Sequence, residues 1–405
     1  MSGQAIPVAM ACDLVLSAVT PLAAESIPID ECLGRVSACD VRAEAPVPGF
    51  DNSAMDGFAV RSADLGGDAV RLRIVGESRA GHPAPVEPQA GEVVRISTGA
   101  VVPPGADAVV PLEEALEQGE FVLIEVGVDP GKHVRRAGED LAAGAVAVAG
   151  GSLLGAAEIA VLASIGKAAV SCSRRPRVAV LSGGDELLAP GEAPVPGAIY
   201  DANRFGLVAM AREAGSEAYF AGAMADTPAA TREAIRSALD ADFVVVTGGV
   251  SVGRHDHVKG ALAELGVEQL FWRVALRPGG PTWAGVAPEF EGRRTLVFGL
   301  PGNPVSALVT FRLFVQPALR AATGLDPRQT IVTARLAEPF TKAVKRAQYL
   351  RCRLEPTATG WLASLTTERQ GSHVLTSMLG ADGLAVIPAE RDSVAAGEEV
   401  EVLFL

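Results

Sequence analysis

The stretch Asp242-Phe243-Val244-Val245-Val246-Thr247-Gly248-Gly249-Val250-Ser251-Val252-Gly253-Arg254-His255-Asp256 decides the fold. Its first half is a continuous β-branched apolar run, which reads as a parallel strand buried on both faces. The run then breaks into glycines and a serine, and a lone acid, Asp256, precedes a helical pattern over His257–Leu265. A strand that ends in a glycine loop at a helix start is where α/β sheets hold phosphates and other oxyanions. A carboxylate there repels an anion unless a cation intervenes or the acid orients a polar group, so the loop suggests a phosphorylated ligand together with a metal or a polar contact.

The same grammar recurs on both sides. Val178–Leu181 reads as a buried strand ending in Ser182-Gly183-Gly184-Asp185-Glu186, and Asn203–Ala214 as a helix. Tyr219–Ala221 is a short strand, and Thr227-Pro228 caps a helix to Leu239, proline being favoured at the first helical position. Strands over Trp272–Leu276 and Thr295–Phe298 follow, and then Asn303-Pro304 caps a helix to Ala321. Alternating strands and helices predict a doubly wound parallel sheet whose loops gather at the carboxyl ends of its strands. Those loops carry glycine amides, suited to phosphate, and the acids Asp185, Glu186, Asp226 and Asp256, suited to Mg2+.

Further out, the period changes. Residues Pro7–Ala24 repeat at helical spacing, Leu153–Ile165 is a second apolar helix, and short strands over Phe58–Val60, Arg71–Val75, Val93–Ile96 and Phe121–Ile124 lie between them. Helix, β-rich segment, helix is the pattern of one unit interrupted by another. The chain divides into a discontinuous helical linking unit (1–46 with 143–176), a β-rich insert (47–142), the α/β unit (177–325) and a β-rich C-terminal unit (326–405) that forms a small barrel or sandwich. Within the insert, Asx turns explain Phe50–Gly57 and Arg95–Val110 most simply, and Asp107 reads as a turn residue.

Composition narrows the function. At 405 residues with 49% apolar and 20% charged side chains the chain is globular and multidomain. A net charge of −13 argues against nucleic acid as ligand, and no apolar run is long enough to span a bilayer. Five cysteines without paired spacing (Cys12, Cys32, Cys39, Cys172, Cys352), and no cation before Arg35 to make a signal-peptide start, point to free thiols in the cytoplasm. Only five of the 35 cationic residues are lysine. His255 and His257 flank Asp256 without a third ligand at metal spacing, which does not support zinc. No Ser-His-Asp order stands out.

Taken together, the loops resemble the molybdopterin molybdenumtransferase family, the bacterial enzymes related to the C-terminal part of gephyrin. The resemblance rests on Asp51–Arg61, on Thr98-Gly99-Ala100 with Pro104–Val110, and on Arg135–Asp140. It continues through Gly184–Leu187, Ile199–Arg204, Gly248–Gly253 with Asp256, Leu300–Ala307 and Gln370–His373. It implies an α/β and β multidomain fold with a doubly wound sheet, a β-rich insert, a helical linking domain and a small C-terminal β-barrel. It also implies a homodimer whose sites lie between the α/β domain of one subunit and the insert of the other. The implied reaction takes adenylylated molybdopterin, molybdate and Mg2+, releases AMP and leaves molybdenum on the dithiolene. An upstream adenylyltransferase and molybdoenzyme chaperones are implied partners. The family's catalytic acids fall on Asp56, Glu186, Asp226 and Asp256, the last three also as metal ligands. Binding positions fall on Thr98, Gly184, Gly248, Gly249, Ser251, Gly253, Arg277, Pro301, Asn303, Pro304 and Ser372.

Two departures bear on strength of binding. Arg277-Pro278-Gly279-Gly280-Pro281 stands where the family shows Lys-Pro-Gly-Lys-Pro, so Gly280 removes a cation, and Gly183 replaces a threonine. Arg254 and Arg273 on neighbouring segments are the candidates to restore that charge. A non-catalytic scaffold on the same fold, and a relative handling tungstate, are the alternatives. Retained acids argue against the first, and no residue separates the two oxyanions.

Overall fold

The computed structural model describes residues 4–66, 68–249, 257–290, 292–342 and 345–405. At its centre is the strand Phe243–Thr247, with all five residues buried. It lies parallel to Arg177–Gly183 on one side and to Leu296–Leu300 on the other. Because side chains alternate along a strand, this one feeds two cores. Val245 packs with Val178, Val180 and Phe298, under the helices Ala202–Glu213 and Pro304–Thr310. Val244 and Val246 pack with Ala179, Leu181 and Val297, under Pro228–Ala238 and Val258–Glu264. That two-faced burial is the doubly wound architecture expected from the apolar run.

Six strands form the sheet, in the order Glu217–Met224, Arg177–Gly183, Phe243–Thr247, Leu296–Leu300, Trp283–Val286, Glu268–Trp272. Trp283–Val286 runs antiparallel to both its neighbours, a departure from the all-parallel expectation. The strand expected over Trp272–Leu276 ends at Trp272, because Arg273 takes a left-handed conformation (φ 70°). Leu276–Arg277 leaves the sheet to pair instead with Ala347–Gln348 of the C-terminal unit. The helix expected to Ala321 runs to Ala322 through a π-helical turn at Phe311–Val315. Pro317, which has no amide hydrogen for the α-helical ladder, follows that turn.

The first helix, Val8–Ser17, does not belong with the linking unit. Ala11 and Val15 join the α/β core beside Phe314 and Leu319, and the preceding Ile6 bridges Val274. The linking unit itself holds one helix, Ala156–Ser164, and a three-stranded sheet of Ala24–Pro28, Ala169–Ser173 and Val36–Ser37. The insert is a six-stranded sheet containing all four strands expected there. The chain enters and leaves it side by side, at the Val47–Leu141 bridge. In the C-terminal unit, Ala347–Thr357 pairs with both Gly360–Leu365 and Gly383–Ile387, and the ring closes through Ile331–Leu336 and Glu399–Phe404. The closure makes it a barrel, without a free edge.

One ion pair anchors the central strand. Asp242, 6% exposed, takes both guanidinium nitrogens of Arg174 (2.7 and 2.6 Å) and the amide of Arg177 (2.8 Å). The Asp242 carboxylate raises the Arg174 pKa in turn. Removing the carboxylate loses two charge-assisted hydrogen bonds from the half-buried Arg174 and leaves the Arg177 amide without its acceptor. Asp242→Ala is therefore expected to destabilise the α/β unit by about 2–4 kcal/mol in chemical denaturation. A loss below about 0.5 kcal/mol, the scale of an exposed pair, would contradict the anchoring role.

Candidate active site

Parallel pairing sets the site, because it brings strand ends level. Gly183 lies opposite Met224, Ser182 opposite Thr247, and Thr247 opposite Leu300. The loops that follow therefore leave one rim together: Gly183–Glu186, Ala225–Thr227, Gly248-Gly249 and Pro301–Asn303. Ser251, Gly253 and Asp256, with Arg254 and His255, lie outside the described residues.

Backbones crowd this rim. Gly248 has φ 85°, and a Cβ there would sit 2.5 Å from the Gly183 carbonyl oxygen, so no larger residue fits. Its amide donates to Leu300 O at 3.2 Å. Asn203, on the first turn of the helix capped by Asp201, ties two of the loops together. Its Nδ2 donates to Thr247 Oγ1 (2.8 Å) and to Gly302 O (2.7 Å), while its buried Oδ1 has no partner among the described residues. The sequence reading placed Asn203 in a matching block but not among the site residues; its nearness to an Asp cap at a strand-to-helix turn was the available signal.

The acids face solvent. Asp185, Glu186 and Asp226 are exposed, and Asp185 Oδ1 accepts the amide of Asp226 at 3.2 Å. Glu186 folds back over Gly184, its Oε2 lying 2.5 Å from where a Cβ on Gly184 would be. Among the described residues, no three metal-ligating side chains come together.

The start of the helix Pro304–Thr310 is not an open anion cradle. Pro304 has no amide hydrogen, and the Val305 amide is taken by the Ser372 carbonyl at 3.2 Å. Pro304 and Ser372 thus meet where the barrel locks onto the rim. Behind Ser372 stands a buried cation that the sequence reading missed. Arg351 is fully buried and donates from Nε to Ser377 Oγ (2.9 Å) and from Nη2 to Gly371 O (3.2 Å). Burial pushes its pKa down to about 10. With Gln370 Oε1 accepting the Arg351 amide (2.9 Å), it holds the loop that presents Ser372.

The insert acid lies elsewhere. Asp56 Oδ1 accepts the Thr98 amide at 2.8 Å, and both residues are exposed. Nearby, the Ala137 amide and the Arg136 guanidinium hold the Asp51 carboxyl below its usual range. Asp107 accepts from Ser62 N and Oγ (2.7 and 2.8 Å), so its side chain ties together two distant segments of the insert where a local turn was expected. Among the described residues, no hydrogen bond or ion pair joins residues 47–142 to the α/β rim. Arg277 is exposed on the strand that leaves the sheet for the barrel.

Comparison with known proteins agrees with this architecture. Residues 6–166 match the MoeA N-terminal region (domain I and II), 179–321 a probable molybdopterin binding domain, and 333–405 the MoeA C-terminal region (domain IV). A molybdopterin molybdenumtransferase of Haemophilus influenzae is 36% identical over 387 residues, covering 94% of each chain. Molybdopterin molybdenumtransferase 2 of Mycobacterium tuberculosis is 39% identical over 395 residues, covering 93% of this chain and 94% of that one. The crystal structure of a molybdopterin biosynthesis MoeA protein from Pyrococcus horikoshii superposes with a TM-score of 0.85 at 35% identity, over 99% of both chains. The resemblance read from the loops is borne out: the chain belongs to the MoeA family of molybdopterin molybdenumtransferases.

Proposed function

We propose that this transferase, in the cytoplasm, inserts molybdenum from molybdate into adenylylated molybdopterin, releasing AMP and leaving the metal on the dithiolene. The observation that carries the reading is the level convergence of glycine backbones with Asp185, Glu186 and Asp226 at the carboxyl ends of the parallel strands. Release of AMP breaks a phosphoanhydride, so the site must neutralise phosphate charge. Backbone amides of the Gly183–Glu186 loop and of Gly249, and the exposed Arg277, are suited to hold the oxyanions, because amides and guanidinium forks both donate to them. Glu186 and Asp226, with Asp256, are the residues that would hold Mg2+. The donor set fits, since Mg2+ takes one or two carboxylates, keeps several waters and shares substrate phosphates, and needs no complete protein cage. When bound, the ion supplies charge neutralisation at the phosphate.

Asp56 and Thr98 support a composite site. They are exposed, they are hydrogen-bonded to each other's loop, and nothing in the same chain joins them to the rim. A homodimer in which the insert of one subunit faces the rim of the other uses both sets. Pro301, Asn303, Pro304 and Ser372 then shape the floor of the cleft where the barrel meets the α/β unit.

The direct check is anaerobic turnover with adenylylated molybdopterin: AMP release that depends on molybdate is expected, and release indifferent to molybdate and tungstate alike would reject the reading. For the shared site, Asp56→Asn and Glu186→Gln subunits should each be inactive. Mixed with proven subunit exchange, they should recover about a quarter of wild-type activity, because half the dimers are hybrid and each hybrid keeps one intact site of two. No recovery would place both acids in one subunit's site. Gly184→Ala should lower the maximal rate about ten- to a hundred-fold by pushing Glu186 aside, with a smaller effect on the Michaelis constant. An unchanged rate would remove Glu186 from the chemistry.

A further inference from the structure

A second cationic cleft lies at the amino end of the sheet, on the side of the α/β unit away from the rim. The segments around it lead into strand starts. Arg174-Arg175 precede the strand Arg177–Gly183, and Arg212–Gly215, at the end of the helix Ala202–Glu213, precede the strand Glu217–Met224. The linking unit forms the facing wall through Gly34–Val36 and Leu153, and the helix Gln316–Ala322 contributes Arg320. The cleft measures about 320 Å³, within the range of small-molecule sites.

Five arginines line this cleft, Arg35, Arg174, Arg175, Arg212 and Arg320, against one acid among the described residues, Glu213. Arg174 is answered by Asp242 and Arg35 by Glu25. Even so, Arg35 is only 8% exposed and its buried Nε has no partner among the described residues. The other three have no carboxylate partner among the described residues. Arg212 and Arg320 each spend Nε on a carbonyl just beyond their own helix, Ala218 O at 3.1 Å and Asp326 O at 2.7 Å. The Asp326 carboxylate itself is taken by Arg328 at 2.6 Å. Closing a helix end accounts for those two Nε contacts. It does not account for the outer nitrogens of the same guanidiniums, for the exposed Arg175, or for the gathering of like charges across a junction between two units in a chain of net charge −13. Like charges at short range repel unless an anion lies between them.

We propose that this cleft binds a small anion through a diphosphate group, held by Arg35 and Arg175 from the linking side and by Arg212 and Arg320 from the α/β side, so that the ligand bridges the two units. Guanidinium forks match phosphate oxygens in geometry as well as charge. The site is separate from the rim, and its occupancy couples the anion's concentration to the stability of the junction that carries the insert. Free pyrophosphate and the diphosphate of a nucleotide share this chemistry.

The test is calorimetric titration of pyrophosphate and, separately, of ADP into the full-length protein, with AMP saturating, and into its Arg175→Gln and Arg320→Gln variants, with melting temperature followed in each. Wild type should bind pyrophosphate and melt higher in its presence. Each variant should bind about ten- to a hundred-fold more weakly, the scale of a lost charge-assisted contact, and lose the rise in melting temperature. The Arg175 side chain makes no hydrogen bond or ion pair among the described residues, so a loss of binding in Arg175→Gln is not a loss of fold. A parallel loss of ADP binding assigns the site to a nucleotide diphosphate, and ADP binding unchanged beside a loss for pyrophosphate assigns it to the free anion. Equal binding of both ligands by wild type and both variants overturns the proposal, as does wild-type protein that binds neither.

Discussion

The parallel register of three neighbouring strands is the constraint on which the rest of the molecule depends. Ser182 faces Thr247, and Thr247 faces Leu300, so three loops leave the sheet at one height. A shift of one residue would turn Val244, Val245 and Val246 to the wrong cores. It would also part Thr247 from Asn203, whose amide joins it to Gly302. The buried Arg174–Asp242 pair sits at the opposite end of the central strand and holds its start. The same contacts that pack the sheet therefore position glycine backbones and carboxylates on one rim.

The barrel extends that rim. Leu276–Arg277 crosses out of the α/β unit to pair with the barrel, and Ser372 returns to cap Val305. These two attachments bring the barrel against both the segment that leaves the sheet and the start of the rim helix Pro304–Thr310. At that helix start Pro304 has no amide hydrogen and the Val305 amide is already taken by the Ser372 carbonyl. The insert, in contrast, is entered and left at the Val47–Leu141 bridge beside the linking unit, and its acid Asp56 is hydrogen-bonded within the insert, to the Thr98 amide.

Much of this was legible in the residues. The unbroken apolar run 243–247 announced a strand buried on both faces, and the glycine-and-acid loops marked which strand ends mattered. What was not legible depended on partners distant in sequence. Ala24–Pro28 is largely exposed and lacks the apolar alternation that marks a strand, and Ala169–Ser173 buries Val170 and Cys172 but is only five residues long. Trp283–Val286 is short and interrupted by Gly285. The periodicity of Val8–Ser17 gave a helix but not the core it joins. Asn303-Pro304 read as a helix cap, and nothing local announced that the Ser372 carbonyl takes the Val305 amide there. Nor did any local signal show that Arg346 of the barrel fills the space above Gly280, which only the pairing of Ala347 with Leu276 brings about.

The central claim is that the carboxyl-end rim of the sheet, closed by the barrel corner, is where the substrate's oxyanions reside. A crystal structure of the dimer soaked with AMP and molybdate tests it most directly. The account predicts tetrahedral oxyanion density bounded by the Gly183–Glu186 and Gly248-Gly249 loops and by Arg277, with Asp56 of the partner subunit facing it. A rim left empty of oxyanions in those crystals would contradict it.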